Sequence, residues 1–282
     1  MRLLLLGVRG SLAAPGADHV RYGGNTSCVA VCRDDELAPT LCLDAGTGLR
    51  RLSGLLGGRA YSGAILLTHL HWDHVQGIPF FAAGDRSGSQ VDVYLPAQDG
   101  RSARDLLSQS MSPPAFPITP EGLRGSWRFR GLEPGRHVIA GFLVHAAEVT
   151  HKGGRTYGYR VSDGVSSCAY VPDHAPALGC PPEVGDLVRD VDVLLHDAQF
   201  LASERALADA YGHATVADAV ALAVQARART LVLTHHAPAR VDDDLDALLH
   251  GARRLAATSA RPSLQVRIAC EGETLRVGGL DA

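Results

Sequence analysis

Ala64-Ile65-Leu66-Leu67-Thr68-His69-Leu70-His71-Trp72-Asp73-His74 reads as an apolar strand that runs directly into the polar cluster His69, His71, Asp73 and His74. A strand end anchors the backbone in a sheet, while the side chains beyond it can converge on one point. Imidazole nitrogens and carboxylate oxygens are the ligands that a borderline dication such as Zn²⁺ takes. Surface composition rarely collects three histidines and an aspartate at this density. The stretch therefore predicts a metal centre, with the remaining ligands to be sought at other strand ends.

Outward from that stretch, residues 1–282 read as one domain. At 282 residues and 46% apolar content the chain can build one large two-layered core. The Pro-rich segment 111–117 keeps Phe116, with Ile118 just beyond, so it reads as an ordered loop rather than a linker. A net charge of −3 supplies no basic field for a long polyanion and suits a small anionic substrate better. The six cysteines form no C-x-x-C pair and lie mostly in apolar runs, which predicts buried, reduced thiols. The apolar run 3–6 stops at Gly7 and meets Arg9 without a cleavage-like segment, so it reads as a first strand and not a leader. No stretch approaches a membrane span, and a soluble cytoplasmic protein is expected.

Other motifs fall at predicted strand ends. Gly7-Val8-Arg9-Gly10-Ser11 is a Gly-rich turn, followed by Arg21-Tyr22-Gly23-Gly24-Asn25-Thr26-Ser27-Cys28. Glycines admit a ligand close to the backbone, and Arg21, Asn25, Thr26 and Ser27 are donors suited to phosphate oxygens. Gly-Gly-Asn equally makes an ordinary hairpin turn. Asp44 opens a strand-to-helix turn continued by Leu49, Leu52, Leu55 and Leu56 at helical spacing. Residues 75–82 read as a helix, and 142–149 as a strand with His145 packed or exposed within it and His151 just beyond. Residues 157–161 and 167–171 read as a hairpin that ends at Asp173-His174, where His174 lines a pocket or is solvated. Strand 191–195 leads to His196-Asp197-Ala198-Gln199, and Gly212-His213-Ala214-Thr215 opens a helix over 216–228. Unpaired amides at a helix start favour an anion near His213, although a capping histidine with no chemistry reads the same way. Strand 230–234 ends at His235-His236.

The motif T-H-L-H-W-D-H-V-Q-G at 68–77, together with these strand ends, resembles the metallo-β-lactamase fold hydrolases over nearly the whole chain. Within them it is most similar to the phosphodiesterase branch of tRNase Z and the cyclic-phosphate phosphodiesterases. That resemblance implies an α/β fold, an αββα sandwich of two mixed β-sheets flanked by helices. It also implies two divalent ions, Zn²⁺ or in its place Mn²⁺ or Fe²⁺. His69, His71 and His151 would hold one ion, and Asp73, His74 and His235 the other, with Asp173 bridging. Asp44 would support rather than ligate. Water shared by two dications loses a proton near neutral pH, and the hydroxide would attack a phosphodiester in line.

His196-Asp197-Ala198-Gln199 resembles the H-E-A-T segment of the tRNA endonuclease, with Asp for Glu and Gln for Thr, and 212–215 resembles its G-H-S-T segment. His213, oriented by Asp197, is then the candidate proton donor to the leaving group, and Asp73, His213 and Asp197 are the catalytic candidates. A cysteine cluster for an extra structural zinc has only Cys28 to draw on, so no such site is expected. The basic, Gly-Pro-rich arm of the endonuclease has no counterpart before Trp127, which leaves Met111, Phe116 and Trp127 to roof a pocket or pack at a subunit contact. The expectation is a phosphodiesterase for a small cyclic phosphodiester, either a cyclic nucleotide or a phosphoribosyl cyclic phosphate. A tRNA 3′-processing endonuclease is the alternative, and a lactone or thioester hydrolase is disfavoured. The family is often dimeric, which leaves a homodimer open.

Overall fold

Alternation along the first strand sets the layers. The computed structural model describes residues 1–278. In β1 (Arg2–Gly7), Leu3 and Leu5 turn to the interior between two sheets, and Leu4 and Leu6 turn outward to a second apolar layer. The period of two in a strand thus serves two layers at once.

The other strands are β2 (Cys28–Cys32), β3 (Leu41–Leu43), β4 (Ser62–Leu66), β5 (Gln90–Pro96), β6 (Ser126–Leu132), β7 (Gly135–Ile139), β8 (Phe142–Glu148), β9 (Tyr157–Ser162), β10 (Ser167–Val171), β11 (Val193–Asp197), β12 (Thr230–Thr234), β13 (Gln265–Ile268) and β14 (Thr274–Arg276). They form two seven-stranded sheets, ordered β14-β1-β2-β3-β4-β5-β6 and β13-β12-β11-β10-β9-β8-β7. Each sheet is mixed: β3 to β6 and β10 to β13 run parallel, and the remaining pairs are antiparallel. Between them, Leu43 and Leu66 of the first sheet share one buried cluster with Tyr159, Tyr170, Leu195 and Val232 of the second.

Helices cover the outer faces. They are α1 (Arg50–Leu55), α2 (Trp72–Val75), α3 (Ala103–Ser108), α4 (Pro182–Val188), α5 (Arg205–Tyr211), α6 (Val216–Gln225) and α7 (Asp242–Ala257). Leu49, Leu52, Leu106 and Leu107 pack on the first sheet, and Leu187, Val220, Leu245 and Leu248 on the second. This is the αββα metallo-β-lactamase fold. All six cysteines are free, and no described helix is long and apolar enough to cross a membrane.

Some local expectations are corrected. The helix read over 75–82 is instead α2 followed by a 3-10 turn at Ile78–Phe80, because Pro79 carries no amide and cannot continue an α-helix. The short α5, absent from the sequence reading, precedes His213, and α6, which begins at Val216 as expected behind a Thr215 cap, ends at Gln225 rather than at 228. Met111 is buried under the first sheet; Phe116 packs edge-on against Phe80 at 5.9 Å, and Trp127 stacks on Phe129 at 6.3 Å. None of the three lines the cleft described below.

Candidate metal centre

The polar cluster forms where the C-terminal ends of β4, β8, β10 and β12 lie together at one rim of the sandwich. β4 is followed by His69, His71, Asp73 and His74, β8 by His151, β10 by Asp173 and β12 by His235. The first sheet therefore supplies four of these side chains and the second sheet three. Cross-sheet hydrogen bonds fix the seam beneath them: the Tyr159 hydroxyl donates to the Leu67 carbonyl at 2.7 Å, and the Tyr170 hydroxyl to Asp44 Oδ2 at 3.0 Å.

Asp173, 1% exposed, sits at the middle. Its Oδ1 lies 3.4 Å from His235 Nε2, 3.7 Å from His151 Nε2 and 4.0 Å from His69 Nε2; its Oδ2 lies 3.1 Å from His74 Nε2. Asp73 Oδ2 is 3.2 Å from both His74 Nε2 and His235 Nε2. Two triads with no shared member, His69/His71/His151 and Asp73/His74/His235, each bring their ligand atoms within 4.8 Å of one another.

The donor set fits a dication. His69 Nε2, His74 Nε2 and Asp173 Oδ2 are buried without a hydrogen-bond partner, a costly state for polar atoms unless something else pairs with them. Burial works against the charge on Asp173, yet His235, His74 and His69 outweigh it and hold the carboxyl well below the usual carboxylate range. Burial alone pushes His69 down, and the neighbouring imidazoles push it further, so its ring is kept neutral and its lone pair is available.

The opposite ring nitrogens are tied down, which aims the free ones inward. His74 Nδ1 contacts Asp44 Oδ2 at 2.7 Å, and Asp44 Oδ1 also accepts from the Thr68 amide at 2.7 Å. His151 Nδ1 donates to the Gly212 carbonyl at 2.6 Å, and His235 Nδ1 contacts Gln199 Oε1 at 3.0 Å. Asp44 and His235 both hold φ near 59°, a left-handed conformation that non-glycine residues adopt at a cost. Gly153 passes so close to His71 that a Cβ there would sit 2.6 Å from Nε2.

His213 stands beside this cluster. Its Nδ1 is 2.8 Å from Asp197 Oδ2 and 3.7 Å from Asp173 Oδ1. Asp197 is fully buried, and its carboxylate also accepts from the amides of His174 at 3.2 Å, Ala214 at 3.2 Å and Gln199 at 3.0 Å. Burial opposes a charged imidazole, but Asp197 and then Asp173 outweigh it and raise the His213 pKa to about 9.

The remaining expected contacts lie elsewhere. Arg21 pairs with Asp242, Asp243 and Asp246 on α7. Asn25 donates to Glu271 at 2.6 Å, the Thr26 amide donates to the Thr47 hydroxyl at 2.8 Å, and the buried Ser27 hydroxyl reaches only the Arg9 carbonyl at 3.5 Å. The 21–27 loop straps the two sheets together and does not line the cleft. His174 is buried behind Asp173 and pairs through Nδ1 with His196 Nε2 at 3.0 Å, so it too is off the cleft wall. Residues that do line the cleft and were not foreseen are Ser11, Leu70, Trp72, Gln199, Phe200 and Tyr211. The Gly-rich turn ending at Ser11 was the signal available for the first of them.

The sequence from Leu41 to His236 matches the family described as the beta-lactamase superfamily domain, over residues 41–236. The chain belongs to the beta-lactamase superfamily. It is a metallo-β-lactamase-fold hydrolase with a His/Asp cluster able to hold metal. Among relatives of this superfamily member, ribonuclease Z of Nocardia farcinica is 27% identical over 68% of this chain and 76% of its own length. Ribonuclease Z of Natronomonas pharaonis is 26% identical over 75% of this chain and 81% of its own.

Three solved structures share the fold. The metallo-beta-lactamase fold protein YhfI of Bacillus subtilis superposes with a TM-score of 0.72 at 20% identity, covering 98% of this chain and 99% of that one. Zn²⁺-bound PqqB of Methylobacterium extorquens gives 0.69 at 18% identity, covering 98% and 100%. The short form of human tRNase Z gives 0.68 at 18% identity, covering 98% and 99%.

Proposed function

We propose that this protein is a binuclear metal-dependent phosphodiesterase that hydrolyses a small cyclic phosphodiester, such as a cyclic nucleotide or a phosphoribosyl cyclic phosphate. The observation that carries the reading is the His213–Asp197 pair at 2.8 Å, set beside the metal-binding cluster. His69, His71 and His151 would hold one ion, and Asp73, His74 and His235 the other, with Asp173 between them. When bound, zinc or a similar dication supplies Lewis acidity and a water of lowered pKa.

The chain's own residues supply the rest. His213 Nδ1 donates to Asp197, so Nε2 is the nitrogen left to meet a leaving oxygen. Asp197, satisfied by three backbone amides as well as His213, stays ionised and keeps the ring in one orientation while it gives up its proton. The cleft has a volume of about 700 Å³, a size suited to a small ligand. The net charge of −3 supports the same choice.

The names of the curated relatives favour a second reading, a tRNA 3′-processing endonuclease. Turnover by zinc- and manganese-loaded protein on 3′,5′-cyclic nucleotides, 2′,3′- and 1,2-cyclic phosphates and a precursor tRNA separates the two. A cyclic phosphate is expected to be the preferred substrate. Cleavage of precursor tRNA alone would overturn the small-substrate reading, and hydrolysis of none of them would overturn both.

A further inference from the structure

We infer that the Ser11 hydroxyl is a direct donor to an anionic oxygen of the substrate and that Gln199 is the residue that positions it. The inference rests on the reading above, in which His235 ligates through Nε2.

Ser11 is exposed, lines the cleft and holds φ at 62°. A non-glycine residue in that region is strained and persists only where its surroundings impose it. Here they do. The Ser11 amide donates to Asp73 Oδ2 at 2.6 Å, and the Gly10 amide donates to the His236 carbonyl at 3.0 Å. Gly10 lies so close to His235 that a Cβ would meet Nδ1 at 2.3 Å. The turn is therefore clamped to ligands from both sheets, and its one exposed hydroxyl faces the space beside them.

The direction of the hydrogen bonds says what that hydroxyl can do. A ligating His235 keeps its lone pair on Nε2, so its proton sits on Nδ1 and is donated to Gln199 Oε1 at 3.0 Å. That fixes the amide: its oxygen is used on His235, and its nitrogen must point the other way. Gln199 Nε2 then donates to Ser11 Oγ at 3.1 Å. A hydroxyl has one proton to give, and with Oγ accepting from Gln199 that proton is directed elsewhere. Among the described residues this is the one hydrogen bond the Ser11 hydroxyl makes, so its proton is free for a ligand in the cleft. A phosphoryl oxygen is the ligand chemistry that matches a neutral donor beside a cationic centre.

Two variants of the zinc-loaded protein test this. Ser11→Gly removes the hydroxyl, keeps the amide to Asp73 and accepts the positive φ. Gln199→Glu still accepts from His235 but cannot donate, so it captures the Ser11 proton and turns the hydroxyl away from the substrate. Each should weaken inorganic phosphate binding, measured by calorimetry, and lower kcat/KM on the order of 10- to 100-fold, the worth of one hydrogen bond to a charged group. Zinc stoichiometry should stay unchanged in both, and the double variant should lose no more than either single one. Wild-type phosphate affinity and kcat/KM in Ser11→Gly would overturn the inference. Loss of zinc in Gln199→Glu would confine Gln199 to holding His235 and overturn the positioning role. If the wild type hydrolyses no phosphodiester, the functional reading fails, while the phosphate affinities of wild type and Ser11→Gly still decide the Ser11 contact.

Discussion

Two polar stretches of this chain, 21–27 and 69–74, look equally rich in binding groups, and the fold uses them in opposite ways. In the first, the side chains of Arg21 and Asn25 end on protein carboxylates, those of Asp242, Asp243, Asp246 and Glu271. In the second, His69 Nε2 and His74 Nε2 are buried and make no hydrogen bond. In the first stretch these hydrogen bonds are already made within the protein, whereas in the second the unpartnered nitrogens converge on one cluster and are left for a ligand. Residue type alone does not separate the two cases.

The sharpest way to break this comparison is at His213. His213→Ala should lower kcat by a factor on the order of 10²–10⁴ while zinc content, read by atomic absorption, stays at the wild-type value. Full turnover would place His213 with the structural groups. A smaller effect separates the cluster from the histidines behind it. Burial pushes His174 down to about 3 and lowers His196, so the folded state resists protonation that the unfolded chain accepts near pH 6.5. Stability from this pair is complete above pH 6.5 and is lost as pH falls toward the folded values. Between pH 6.5 and 5 the His174 imidazole should cost about 2 kcal/mol, with His196 adding in the same direction, read as the drop in urea-unfolding free energy. A His174→Leu, His196→Leu double variant should lose that part of the slope; an unchanged slope would refute it. The smallest effect belongs to the loop. Asn25→Ala should cost about 1 kcal/mol of stability and leave kcat/KM within about twofold of wild type. A large loss of kcat/KM at unchanged stability would return the loop to the substrate side.

What was legible in the sequence follows from distance along the chain. Strands such as β1 and β12 show in their apolar runs, and the 69–74 cluster, with His151 and His235, announces itself because each lies next to a strand end. The Ser11–Gln199 contact joins residues 188 positions apart, and Arg21 to Asp242 spans 221. No local pattern encodes such pairings, so the sequence could name donors without saying where they would be used. The helix over 75–82 failed for a nearer reason, since Pro79 lay inside the run that was read as helical.

The division of the donors between the two sheets has a further consequence. Each triad joins two donors of the first sheet to one of the second, so the fit within a triad depends on how thickly the interior packs beneath it, around Leu66, Tyr159 and Tyr170. Interiors pack like crystals and transmit a change of one methylene as a shift of neighbours. A substitution deep in that interior, touching none of these donors, would shift the donors of one sheet against those of the other. In this protein, the shape of the donor cluster is thus partly a property of the core.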